Sequence, residues 1–148
     1  MLVKATLSDA KQLTEIALKS KAIWGYSNEL IESWREDLTV TSTIISKEII
    51  YKFMVDTKIA GFYFLNKPKE NSIELEMLFV LPNFVNRGIG KQLLTHSFEK
   101  AKSLDSKKMI LLADPNAVPF YKSQGFYKIN KIESSIAGRF LPVMQKDL

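Results

Sequence analysis

The chain has 148 residues, a net charge of +5, one histidine and no cysteine. The missing cysteines exclude disulfides, cysteine nucleophiles and thiolate metal sites, and a single histidine argues against a histidine-rich metal site. No apolar run approaches the length of a membrane span and no secretory signal is visible, so we expect a single domain over residues 1–148, in the cytoplasm, without a membrane partner.

The N-terminal half predicts one strand, two helices and an antiparallel hairpin. Ser8 and Asp9 are typical N-cap residues for the first helix, and the turn 56–58 separates two apolar runs of strand character. The predicted bounds are 2–6 for the strand, about 8–18 for the first helix, a start near Asn28 for the second, and 49–55 and 59–65 for the hairpin strands.

The C-terminal half predicts four more strands and two helices. A turn at 68–71 leads into a strand, and glycines open the long helix that follows it. The predicted bounds are strand 73–81, helix 88–103, strand 109–113, a short helix near 116–123, and strands at about 126–132 and 140–146. The resulting order, β-α-α-β-β-β-α-β-α-β-β, predicts an α/β fold with a mixed sheet of six to seven strands, mostly antiparallel, and helices on both faces.

Residues 78–94 run from an apolar strand through a short loop into a helix opened by Gly88 and Gly90. The first turn of a helix has main-chain N–H groups without helical partners and the positive end of the helix dipole, so this pattern predicts a site for a phosphate-bearing ligand. A mononucleotide P-loop is excluded because its Gly-Lys-Ser/Thr string is absent, and a dinucleotide fingerprint because its third glycine is Leu93.

The positive charge is concentrated in the same part of the chain. Residues 86–131 contain nine Lys/Arg against three Asp/Glu, whereas the remainder is slightly acidic. A basic field around a cleft raises the local concentration of a polyanion, although individual lysines are more simply explained as a solvated surface. No nucleic-acid motif accompanies these residues, so we expect no nucleic-acid partner.

Two segments resemble the GCN5-related N-acetyltransferase family. The family's first cofactor motif, Gln/Arg-x-x-Gly-x-Gly/Ala after Val-x-Pro, is matched by Val80-Leu81-Pro82 and Gly88-Ile89-Gly90, with Val85 departing at the leading position. Its second motif, Asn-Ala-x-x-Phe-Tyr-x-x-x-Gly-Phe, is matched by residues 116–126. Both segments also suit ordinary structure, since Gly125 is a typical helix C-cap and Asn116 a typical N-cap.

The resemblance implies acetyl-CoA as cosubstrate, no metal, and direct attack of an amine on the thioester in a ternary complex. It implies that main-chain groups near Phe79 and Val80 meet the acetyl carbonyl and the pantetheine, and that Asn116 hydrogen-bonds the pantetheine arm. The residues implied around the pyrophosphate are Arg87, Gly88, Ile89, Gly90 and Lys91.

Two kinds of side chain are candidates for proton transfer. The resemblance places Tyr121 beside the CoA sulfur as general acid, and the alternative is an aromatic core residue with a structural partner for its hydroxyl. Glu74 and Glu76 share one face of the strand at 73–81 because strand side chains alternate. We choose Glu76 over Glu74 as the base, and the alternative is that both lie on the solvated side of the strand.

The acceptor is expected to be a small-molecule or peptide amine, but its identity cannot be read from the residues. Trp24 and Tyr26 lie between the first two helices and are candidates to contact it, although Trp24 alternatively fills the core. Arg139 could bind an acidic acceptor group, but a surface arginine is the simpler interpretation. His96 is expected on the helix surface or partly packed, outside the catalytic machinery.

These expectations describe an acyltransferase, with one competing class of function. The alternative is a catalytically silent acyl-CoA-binding or protein-interaction domain on the same fold. A panel of amines tested with purified protein would separate the two, since the alternative binds acetyl-CoA without transferring its acetyl group. The oligomeric state is left open, with a homodimer among the possibilities.

Overall fold

The computed structural model describes all residues, Met1–Leu148, and contains a seven-stranded sheet in the order β1-β2-β3-β4-β5-β7-β6. The strands are β1 (Leu2–Lys4), β2 (Ile49–Val55), β3 (Lys58–Leu65), β4 (Ser72–Val80), β5 (Lys108–Leu112), β6 (Tyr127–Glu133) and β7 (Phe140–Asp147). The α-helices are α1 (Ala10–Ala22), α2 (Asn28–Ser33), α3 (Ser42–Lys47), α4 (Ile89–Ser103) and α5 (Val118–Ser123). No helix is long and apolar enough to cross a membrane.

The sheet is mixed, as the order of elements predicted. β1 with β2, β2 with β3, β5 with β7 and β6 with β7 all pair antiparallel. β4 and β5 pair parallel from Ser72 opposite Lys108 to Leu75 opposite Leu111, and β4 then continues to Val80. The α/β class and the mixed, mostly antiparallel sheet are therefore confirmed.

The structure corrects the predicted elements in two places. Helix α1 continues to Ala22, one turn beyond its expected end. Helix α3 was missed, because its β-branched residues favour strands over helices. It forms because the Thr41 hydroxyl accepts a hydrogen bond from the Ile44 main-chain nitrogen at 3.1 Å, and because Ile45 is buried.

The chain divides into two compact units. The first comprises Met1–Leu65 and Met77–His96, and its core joins side chains from α1, α3, β2 and β3. The second comprises Asn66–Glu76 and Ser97–Leu148. Its buried side chains include Ile73, Leu75, Met109, Leu111, Tyr121, Phe126 and Met144.

Candidate active site

The segment before α4 exposes main chain in an unusual conformation. Asn86 and Gly88 both have left-handed backbones, with φ of 64° and 76°. A Cβ atom added to Gly88 would meet nothing within 4 Å, so its conformation rather than the space around it requires glycine. Helix α4 then begins at Ile89, and the Gln92 main-chain nitrogen donates to the Gly88 carbonyl at 3.0 Å.

Two exposed cations accompany this helix start. Arg87 and Lys91 both lie at the surface, and the Arg87 guanidinium lies 5.2 Å from the centre of the Phe84 ring. Ile89 is buried and anchors the first turn of α4 to the core, while Gly90 follows it within the helix. The segment thus combines exposed main chain with positive charge, which are the properties of an anion site.

The end of β4 packs tightly against β3. Leu81 donates its main-chain N–H to the Ala60 carbonyl at 2.8 Å, and the Phe79 ring lies 6.1 Å from the Phe62 ring. A Cβ atom added to Gly61 would lie 2.6 Å from the Phe79 carbonyl oxygen. The sequence analysis did not identify Gly61, because no motif marks a glycine that is required by packing between two strands.

The two candidate bases lie on the exposed face of β4. Glu74 and Glu76 are exposed, while Ile73, Leu75 and Met77 between and around them are buried, which confirms the predicted alternation. The Asn66 side-chain nitrogen donates to Glu74 at 2.8 Å and to Glu76 at 3.0 Å. Asn66 was not predicted, since it lies eight and ten residues away in the chain, just beyond the end of β3.

Tyr121 lies on α5 and is nearly buried, with 9% of its surface exposed. Its ring makes an edge contact with Phe126, at 5.5 Å between centroids. Burial, and to a smaller extent the Asp114 carboxylate, raise the pKa of Tyr121 above the ordinary value of a tyrosine. The phenol holds its proton at neutral pH, as any tyrosine does, and the raised pKa makes it a weaker acid than an exposed tyrosine.

The turn before α5 corrects the expected role of Asn116. The N-cap is Asp114, whose carboxylate accepts from the Asn116 main-chain nitrogen at 2.9 Å and from its side-chain amide at 3.0 Å. Asn116 itself is exposed. At the other end of α5, Phe126 and Gly125 donate to the Tyr121 and Lys122 carbonyls, which confirms the helix end predicted at Gly125.

Arg139 is not the surface arginine that was expected. Its guanidinium lies 3.5 Å from the Asp114 carboxylate, and the side chains of Arg139 and Asp114 are only 20% and 9% exposed. Arg139 directly precedes β7, so the ion pair links the connection between β6 and β7 to the turn before α5. Sequence separation hid the pair, because the two residues lie 25 positions apart.

The aromatic residues between α1 and α2 divide into an exposed and a packed group. Trp24 is 47% exposed, so the interpretation that it fills the core is wrong. Trp34 packs against the core instead, and Tyr26 meets its ring edge-on at 4.9 Å. The Lys21 ammonium lies 5.7 Å from the centre of the Tyr26 ring and 5.2 Å from the centre of the Trp34 ring. Lys21 and Trp34 therefore complete a cluster of which the sequence indicated only Tyr26.

His96 is partly packed on α4, as expected. Its Nδ1 atom lies 2.7 Å from the Tyr63 hydroxyl, and its ring lies 4.7 Å from that of Tyr51. Burial raises the pKa of Tyr63, so its phenol stays protonated.

Comparison with known proteins agrees with this architecture. The chain superposes on PaiA N-acetyltransferase from Thermoplasma acidophilum, solved with coenzyme A, with a TM-score of 0.84 and 24% identity over 100% of this chain and 98% of that one. The GCN5-related N-acetyltransferase from Rhodopseudomonas palustris gives 0.84 and 24% over 100% and 95%. YncA from Salmonella typhimurium, solved with its cofactor acetyl-CoA, gives 0.72 and 16% over 99% and 92%.

At these identities the solved structures establish the fold. The model of the acetyltransferase (GNAT) domain family matches residues 13–148, which is most of the chain. This match confirms the family that the two motifs resembled. The chain therefore belongs to the GNAT acetyltransferase family.

Proposed function

We propose that this protein transfers the acetyl group of acetyl-CoA to a primary amine by direct attack of the amine on the thioester, with both substrates bound at once and residues 1–148 acting as one catalytic domain. Bound acetyl-CoA supplies the activated acetyl group. The protein must then supply an anion site, hydrogen-bond donors for the acetyl carbonyl, a base and an acid.

We assign the pyrophosphate to residues 87–91, with Gly88, Ile89 and Gly90 contributing main-chain N–H groups. The exposed helix start and the cations Arg87 and Lys91 fit a ligand of this charge. We assign the acetyl carbonyl and pantetheine to the main chain of Phe79 and Val80, and the pantetheine arm also to Asn116.

Glu76 is the proposed base that takes a proton from the attacking ammonium, directly or through water, with Glu74 as the alternative. Asn66 donates to both carboxylates, which fixes the positions of the two side chains on β4. As the carbon–nitrogen bond forms and the carbon–sulfur bond breaks, the nitrogen releases its second proton to solvent and Tyr121 gives its own proton to the leaving sulfur. Exchange with solvent then restores both groups.

The observation that carries this proposal is the state of Tyr121. Its ring is buried against Phe126 and its phenol holds a proton at neutral pH, so the group is fixed in place and carries a proton to donate. Because burial raises its pKa, the phenol is a weak acid in the resting protein, and donation follows only as negative charge develops on the leaving sulfur.

The decisive experiment compares Tyr121→Phe with Tyr127→Phe, which removes the hydroxyl of an exposed tyrosine bonded to Asp147. We expect Tyr121→Phe to lower kcat by about 100-fold, because positioned general acids contribute roughly 10²–10⁴. The KM for acetyl-CoA should stay unchanged, and Tyr127→Phe should behave as wild type. The assay follows acetyl-CoA-dependent thiol release with a panel of primary amines, and unchanged turnover in Tyr121→Phe removes the residue from the mechanism.

The acceptor is assigned only as a small-molecule or peptide amine, with Trp24 and Tyr26 proposed to contact it. The exposure of Trp24 supports this role, since an indole at the surface is available for contact. A protein that binds acetyl-CoA but releases no thiol with any amine of the panel would instead be the silent binding domain. A homodimer stays a prediction.

A further inference from the structure

Gly61 lies at an irregular point of β3. The pairing between β2 and β3 shifts between Phe53 and Met54, so that Phe53 faces Gly61, Met54 faces Ile59, and Ala60 is passed over. The carbonyl of Ala60 then accepts the hydrogen bond from the Leu81 main-chain nitrogen. A bulge of this kind re-aims the strand and is common next to active sites.

The contacts of Gly61 are with main chain rather than with adaptable side chains. An added Cβ atom would lie 2.6 Å from the Phe79 carbonyl oxygen and 3.2 Å from the Val80 Cα atom. It would also lie 3.2 Å from a methyl group of Leu93 on α4. Real Cβ atoms do not approach a carbonyl oxygen so closely, so any side chain at Gly61 must displace the end of β4.

The space around Gly61, and not its backbone conformation, is what requires glycine. The left-handed glycines of the chain are Gly25, Gly88, Gly125 and Gly138, and Gly61 is not among them. Alanine could therefore adopt the Gly61 backbone without strain, and its cost comes from the displaced neighbours. The shift would fall on Phe79 and Val80.

We infer that Gly61 is a positioning residue for acetyl transfer, which sets the main chain of Phe79 and Val80 at the place where the acetyl carbonyl binds. The inference rests on the proposed function, which assigns this main chain to the carbonyl. A displaced β4 end weakens the contact with the pantetheine in both ligands, and in acetyl-CoA it weakens the contact with the acetyl carbonyl as well. Acetyl-CoA and CoA, which differ only in the acetyl group, report the difference.

The test measures the dissociation constants of acetyl-CoA and CoA by calorimetry for wild type, Gly61→Ala and Leu93→Ala. In Gly61→Ala we expect the Kd for acetyl-CoA to rise by about 5-fold relative to that for CoA, the effect of losing about one hydrogen bond. Leu93→Ala removes the α4 side chain that a Cβ atom at Gly61 would also approach, and leaves the β4 main chain in place. It should lower the Tm and leave the ratio of the two constants unchanged.

The double variant Gly61→Ala with Leu93→Ala covers the case in which Gly61→Ala alone does not fold. Removing the Leu93 methyl groups relieves one of the three close contacts but not those with the β4 main chain, so the altered ratio should persist. Equal losses for acetyl-CoA and CoA, in either variant that folds, would overturn the inference and leave Gly61 a packing residue.

The outcome is separable from that of the proposed function. Wild-type protein that binds acetyl-CoA but acetylates no amine would refute the proposed activity. The ratio of the dissociation constants of acetyl-CoA and CoA would still test whether Gly61 positions the main chain of Phe79 and Val80. Wild-type protein that binds neither ligand would overturn both.

Discussion

Two connections in this chain pass from a strand through a proline and one 3-10 turn into an α-helix, yet they begin their helices by opposite means. After β4 and the turn Pro82–Phe84, α4 follows Gly88, which has no side chain with which to cap. After β5, Asp114 caps the turn Pro115–Ala117, which continues into α5, by accepting from Asn116. The first connection presents bare main chain suited to an anion, whereas the second satisfies its own donors and holds Tyr121 in place.

We expect the largest loss of stability when the Asp114 cap is removed from the second connection, between β5 and α5. Asp114→Ala removes an N-cap, worth about 1 kcal/mol, and also removes the ion pair with the half-buried Arg139, for a further ~1 kcal/mol, roughly 2 kcal/mol in total. Urea denaturation measures the change in the free energy of unfolding. Asp114→Asn is the matched control, because asparagine keeps the cap and loses only the ion pair, so an equal loss in both variants would contradict a capping role.

At the first connection, between β4 and α4, we expect stability to depend on the backbone conformation of residue 88. Gly88→Val places a β-branched side chain at φ of 76°, and a left-handed backbone costs such a residue about 1–2 kcal/mol. Gly88→Asn should restore most of that stability, since asparagine tolerates this conformation. Both variants cover the main chain with a side chain, so we expect both to weaken acetyl-CoA binding. An asparagine variant with wild-type affinity would argue against main-chain recognition of the pyrophosphate.

The smallest effect is expected from the cations beside Gly88. Arg87 is exposed, so Arg87→Gln should raise the Kd for acetyl-CoA by only about 2- to 3-fold at low salt, as for other exposed charge pairs. The difference should shrink as ionic strength rises. Lys19→Gln, an exposed charge on α1, serves as control, and an effect of similar size there would indicate a general rather than a local field.

The two connections also differ in how well the sequence predicted them. The glycines of the first were recognised because their spacing after a strand is itself the signal, whereas the left-handed backbone of Gly88 is seen only in the structure. In the second, both Asp114 and Asn116 are good N-cap residues, and the local sequence does not decide between them. The choice depends on which side chain turns back toward the main chain, and Arg139, 25 positions away, helps to hold Asp114 there.

The same contrast applies to the remaining candidate residues. The alternation of Glu74 and Glu76 with buried neighbours on β4 followed from strand geometry alone. Local geometry did not predict three other features: the bridge between Glu74 and Glu76 through Asn66, the packing of Trp34 in place of Trp24, and the tight contact at Gly61. Each depends on which element lies beside which, and local sequence carries no signal for that.

The sequence by itself determined the order of the seven strands and of four of the five helices, the α/β class and the two cofactor motifs, because periodicity, turn residues and glycine spacing act over a few neighbouring residues. Only the tertiary structure decided that α3 forms, that Asp114 rather than Asn116 caps its turn, and that Gly61 lies against the Phe79 carbonyl. These features arise from contacts between residues distant in the chain. Such contacts form only once the sheet brings neighbouring strands within van der Waals distance.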